Sequence, residues 1–141
     1  MRKIGLALAV MPLLSATGPS ASIEVELSAL RSERGTIHAC MTQAPRYFPN
    51  CENDPRALTE TVPATEHQLR FSDVPAGRYA LSVFHDENSN RKLDTVVGIP
   101  KEGFGFSRNP VIRFGPPHFD KVSIELPPGF TRTRVDRKSV V

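Results

Sequence analysis

Past Leu14 the chain has no long apolar run, and nowhere does it sustain a 3.6-residue apolar period. The first absence excludes an ordinary transmembrane helix in the body of the protein, and the second excludes a helical fold. Cysteine is scarce as well. Cys40 and Cys51 are the only two, and His38 is the only histidine near them, so the spacing of a structural zinc site is missing. No cysteine stands at the cleavage region after the N-terminal apolar run, which argues against a lipid-modified N-terminus. Charge of one sign is also lacking: 18 basic side chains stand against 15 acidic ones, for a net charge of +3. Setting aside Arg2 and Lys3 leaves 16 against 15, a balance that gives no reason to expect nucleic acid as a partner.

What is present begins with a leader. Arg2 and Lys3 precede the apolar stretch Ile4 to Leu14, and small residues follow through Ser22. That order reads as a secretory signal peptide over residues 1–22, with cleavage after Gly18, Ser20, Ala21 or Ser22. The mature protein is then periplasmic or secreted. In an oxidising compartment Cys40 and Cys51 are expected to form a disulfide, contributing about 2–3 kcal/mol through loop closure.

The rest of the chain reads as strands. Its 13 prolines and 9 glycines favour a β-rich domain with frequent turns. Ile23, Val25 and Leu27 alternate with Glu24, Glu26 and Ser28, as in a half-buried strand. Ser32 to Gly35 supply a turn, and strands follow at Thr36–Thr42, Arg56–Val62 and Gln68–Ser72. After the turn Pro75-Ala76-Gly77, both faces of Tyr79–His85 are fairly apolar, which marks a central strand. Short strands are expected again at Val111–Phe114 and Val122–Leu126, before Pro127 and Pro128 stop the sheet. The expected fold is all-β: a single antiparallel sandwich of about seven strands over residues 23–128. Residues 129–141, with Arg132, Arg134, Arg137 and Lys138, read as a basic, solvated tail.

The loop after the central strand carries the candidate chemistry. Asp86, Asn88, Asn90 and Asp94 stand at relative positions 1, 3, 5 and 9, with Lys92 at 7. Oxygen ligands at alternate positions of a tight turn converge on one point, as calcium binding needs. Position 7 supplies a backbone carbonyl in such loops, so Lys92 is tolerated there. Arg91 stands where glycine usually bends the loop, and Val97 where a bidentate glutamate closes the shell. Affinity for calcium is therefore expected to be weak, about 0.1–1 mM, with Glu87 or Glu102 as the remaining carboxylates. The competing reading is an ion-free loop, because Asp and Asn also bond nearby backbone amides. Sequence leaves both open.

Two further arrangements call for a reading. His85, with Glu102, is the basis of an alternative in which the chain is a small periplasmic hydrolase. His85 shares a face with Leu81 and Val83, however, and reads more naturally as a buried, hydrogen-bonded histidine. In Gly103-Phe104-Gly105-Phe106 the phenylalanines either plug the sandwich end or, with Glu102, form an exposed recognition surface. Plugging is the expected outcome.

The run from Gly77 to Ser107 resembles the DUF2141 family of uncharacterised exported bacterial proteins. The elements that carry the resemblance are Gly77-Arg78-Tyr79-Ala80, His85 to Asn90, Leu93-Asp94, Gly98 to Gly103 and Gly105 to Ser107. The family usually has glycine where Arg91 stands. The resemblance implies an immunoglobulin- or prealbumin-like sandwich, similar to carboxypeptidase regulatory domains, and implies no activity. The expectation is an exported binding or structural module, monomeric and without a transmembrane anchor. Its partner would be a protein, glycan or small-molecule ligand of the envelope.

Overall fold

In the computed structural model, which describes residues 18–91, 95–96, 99–100, 103–113 and 115–137, the alternating N-terminal segment forms strand β1 (Ser20–Ser28). Ala21, Ile23, Val25 and Leu27 are buried on one face, as the two-residue period requires. The strand begins ahead of the domain boundary expected at residue 23. There follow β2 (Thr36–Thr42), β3 (Leu58–Pro63), β4 (Gln68–Pro75), β5 (Gly77–Asp86), β6 (Thr95–Val96), β7 (Ile99–Pro100) and β8 (Phe104–Phe106). A single helical turn, α1 (Phe119–Val122), leads into β9 (Ile124–Leu126) and β10 (Gly129–Asp136).

Two sheets face each other. One has the order β10-β1-β4; the other runs β3-β2-β5-β8, with β9 pairing the start of β5. β6 and β7 form a separate two-stranded ribbon. The pairings are antiparallel except that β1 and β10 run parallel, Ile23 opposite Thr131 and Leu27 opposite Val135. The core lies between the sheets, with Ile23, Val25, Phe71 and Val135 from the first against Ile37, Met41, Leu81 and Val83 from the second. This is the all-β sandwich expected, of the immunoglobulin or prealbumin kind.

One departure from regular alternation and one side-chain bond fix the shape. In β4 the register shifts where Ser22 of β1 passes Ser72 and Asp73, and Asp73 takes φ 54. This bulge lets both Phe71 and Val74 point inward, although they are three residues apart. At the start of β5, Tyr79 is buried and its hydroxyl donates to the Pro75 carbonyl at 2.7 Å. That bond ties the strand to the turn before it.

β5 is central, as its two apolar faces suggest. Tyr79, Leu81 and Val83 enter the main core with His85 buried on the same face, while Ala80 belongs to a second cluster with Phe104, Phe106 and Val122. Phe48, Phe84, Ile112 and Phe119 pack against this outer cluster. The loop of residues 45–51 and α1 thus cover the far face of the larger sheet.

Two expectations are corrected. The basic tail is not solvated chain: residues 129–136 form β10, which fills a sheet edge and buries Val135. Phe130, Arg132 and Arg134 lie on its wet face, where one aromatic ring and two charges mask the alternation. The short strand at 111–114 does not form over the described residues 111–113, and Val111 is 80% exposed.

Candidate functional site

β5 ends by delivering Asp86 into the sheet, fully buried. Its carboxylate accepts three hydrogen bonds. Oδ1 takes the Asn90 N–H at 3.1 Å, and Oδ2 takes the Arg91 N–H at 2.7 Å and His38 Nε2 at 3.0 Å. A carboxylate offers about four lone-pair positions, so most of Asp86 is already engaged. Asn88 Oδ1 also reaches the Asn90 N–H, at 3.3 Å. The oxygens of Asp86 and Asn88 therefore converge, with an amide hydrogen at the point of convergence.

Closing the loop this way bends the backbone into the left-handed region, with Ser89 at φ 55 and Arg91 at φ 62. The bend that glycine commonly makes is made here by arginine, held by its N–H bond to Asp86. Lys92, Asp94 and Glu102 lie outside the described residues.

His38 reaches Asp86 from the neighbouring strand, where it stands two residues from direct register, Thr36 being opposite Asp86. Because a carboxylate only accepts, Nε2 is the donor in this contact, and Nδ1 lies 3.1 Å from Thr61 Oγ1. The imidazole stacks on Phe84, with ring centroids 4.7 Å apart. Sequence reasoning missed this pair. Its signal was weak: a histidine in β2 and an aspartate 48 residues later have no spacing rule to join them.

Glu87 does not turn toward Asp86. It accepts from Arg31 Nε at 2.7 Å, Ser32 Oγ at 3.1 Å and Arg137 at 3.3 Å, joining the β1–β2 turn, the loop after β5 and the end of β10. Burial works against its charge, but the hydrogen bonds from Arg31 and Ser32 and the Arg31 charge prevail, holding the carboxyl below its ordinary range. As a carboxylate to close a calcium shell, Glu87 is thus already committed elsewhere.

His85 is buried, and its Nε2 donates to the Arg34 carbonyl at 2.7 Å. It meets neither Asp86 nor solvent. Its Nδ1 has no hydrogen-bond partner among the described residues, and the residue helps to line a cavity of about 10 Å3, room for one water.

Phe104 and Phe106 are buried as well, at 8% and 6% exposure. The exposed recognition surface is therefore corrected: the two rings are buried, not at the sandwich end but in the outer cluster on the far face of the larger sheet, where Phe48 covers them, its ring 5.5 Å from that of Phe106. The intervening glycines have a steric reason. A Cβ on Gly105 would lie 2.6 Å from Val135 Cγ1, and one on Gly103 would overlap the Arg137 side chain. Ser107 ends the segment by bonding β5: its N–H donates to the Leu81 carbonyl at 3.0 Å, and its Oγ accepts the Leu81 N–H at 3.1 Å.

Cys40 and Cys51 are bridged, with Cα atoms 6.4 Å apart. An intact structural disulfide belongs to an oxidising compartment, in keeping with a periplasmic or secreted protein. Beyond the loop it pins lies an open cleft of about 380 Å3 walled by Pro45, Phe48, Pro116, Pro117 and Phe119, with His118 and Asp120 at its rim. No helix among the described residues is long and apolar enough to cross a membrane.

The sequence model of a family described as "Uncharacterized protein conserved in bacteria (DUF2141)" matches residues 25–134. No curated protein and no solved structure matches the chain.

Proposed function

Because the chain belongs to the DUF2141 family, a family without an assigned activity, we propose that it acts as an exported binding or structural module, a sandwich that presents a shaped loop. The observation that carries this reading is the use made of Asp86. Its carboxylate holds two loop amides and His38 in place, which serves the form of residues 86–91. The hydrolase alternative needs His85 at an accessible surface, and the histidine instead sits in the core with 1% exposure. Turnover of model ester or peptide substrates that is lost in His85→Gln would overturn the module reading.

The finer form of the proposal is a weakly bound calcium ion in the loop 86–94. It is supported by the convergence of Asp86 Oδ1 and Asn88 Oδ1, with Asp94 and the Lys92 carbonyl as the further ligands that the sequence suggests. The fit is partial, since an ion must take the place of the Asn90 amide hydrogen, and that competition agrees with the weak affinity expected, about 0.1–1 mM. At about 100 times its dissociation constant calcium would add roughly 2.7 kcal/mol of stability. Magnesium, which holds its waters, would add much less.

Melting curves with chelator, calcium and magnesium at matched ionic strength test the ion. Asn88→Ala is the better probe, because Asp86→Asn also disturbs the ion-free loop. A calcium shift reduced in Asn88→Ala supports the site; three coincident curves remove calcium and leave a hydrogen-bonded turn.

A further inference from the structure

We infer that Asn109 is a strand-mimicking cap that keeps the edge of β10 from pairing with a second copy of this chain. β10 is the outer strand of its sheet, with β1 on one side and, among the described residues, no strand on the other. Backbone groups along a strand alternate in direction. Arg137 sends its N–H to the Ser28 carbonyl beyond β1's last pair, at 2.9 Å, so odd residues face β1 and even residues face outward. At the C-terminal end the outward groups are taken. Asn109 Nδ2 donates to the Arg134 carbonyl at 3.1 Å, and Asn109 Oδ1 accepts the Asp136 N–H at 2.8 Å. A carboxamide has the donor and acceptor of a peptide group, so the contact reproduces one rung of an added strand.

The cap is held in an unfavourable backbone. Arg108 and Asn109 are successive non-glycine residues at φ 65 and 44, a left-handed conformation that L residues resist and asparagine resists least. Two such residues in a row, ending in an amide aimed at a strand edge, mark a feature the fold maintains against local preference.

The geometry of β10 also says which partner the cap excludes. An antiparallel pair of β10 strands centred on Arg132 would set Phe130 of each chain opposite Arg134 of the other. Within one chain Phe130, 52% exposed, already lies under the Arg70 and Arg132 guanidinium groups, at 5.1 and 5.9 Å. The like charges of Arg132 at the centre are offset by Glu24, 3.2 Å from each. That pairing needs the outward groups of Arg134, and Asn109 occupies its carbonyl.

Sedimentation of the full chain over a concentration series tests the inference, with Asn109→Gly as the variant. Glycine takes positive φ freely, so the carboxamide is removed without added strain. Self-association is expected to tighten by about tenfold or more relative to the unmodified chain. Hydrogen exchange at the Arg132 amide should slow as the variant associates. Adding Arg132→Pro, which deletes an outward N–H on an edge strand, should reverse the association. Asn109→Gly sedimenting like the unmodified chain at every concentration would overturn the proposal. So would association that leaves the Arg132 amide unprotected, a readout that decides the matter even if the proline variant does not fold.

Discussion

Gly35 and Gly115 share one backbone angle, φ +72, and differ in everything around it. A Cβ on Gly35 would lie 2.0 Å from the Asp86 carbonyl oxygen and 2.8 Å from the Glu87 Cα and carbonyl carbon, while one on Gly115 meets nothing within 4 Å. Both alanine variants bear the left-handed penalty, about 1–2 kcal/mol. Only Gly35→Ala must also push the β1–β2 turn away from the backbone that carries Asp86 and Glu87. The obstacle is main chain, which cannot rotate aside as a side chain can, so a further ~2–3 kcal/mol is expected. The sum, about 3–5 kcal/mol, corresponds to roughly 10–20 °C in Tm for a domain of this size. Urea and thermal unfolding followed by far-UV circular dichroism measure it, with Gly115→Ala as the matched control. Equal destabilisation by the two substitutions would refute the reasoning, because the close approach of the turn to Asp86 would then carry no weight.

The titratable groups give the stability a dependence on pH at both ends. Glu87 is held below its ordinary 4.5, so its contribution is present above that value and is lost as pH falls through the folded pKa; Glu87→Gln should flatten the acid limb of a Tm-against-pH curve. Burial raises Tyr79 above its ordinary 10.0, so the folded state favours the neutral phenol and stability falls as pH rises past 10.0. Tyr79→Phe should remove that alkaline contribution while lowering stability at pH 7 by about 1 kcal/mol through the lost bond to Pro75; an unchanged alkaline limb would contradict the assignment. At position 91, where φ is 62, Arg91→Gly should be more stable than Arg91→Ala by about 1 kcal/mol, and equal denaturation midpoints would mean that the left-handed bend is not taken.

Legibility in the sequence follows the range over which each signal acts. β1, β2 and β5 were readable because alternation of apolar and polar residues is local, and the same argument placed His85 in the core. The disulfide was readable because two cysteines in an exported chain have one natural outcome. β10 was not, since its inner face offers Thr131, Thr133 and Val135, and only the last is strongly apolar. Its stability comes from β1, more than a hundred residues earlier, a partner that no local pattern announces. The bulge at Asp73 was hidden for a related reason: it is visible only as a fault in the register against Ser22. The candidate loop divides in the same way. That Asp86 and Asn88 would converge was legible from alternate spacing, and their oxygens do meet at the Asn90 amide. That His38 would engage Asp86, and that Glu87 would engage Arg31, Ser32 and Arg137, depended on chain crossings set by the sheets. These long-range contacts decide which carboxylate oxygens remain available to a ligand. The same ligand spacing on a scaffold without His38 would present a different site.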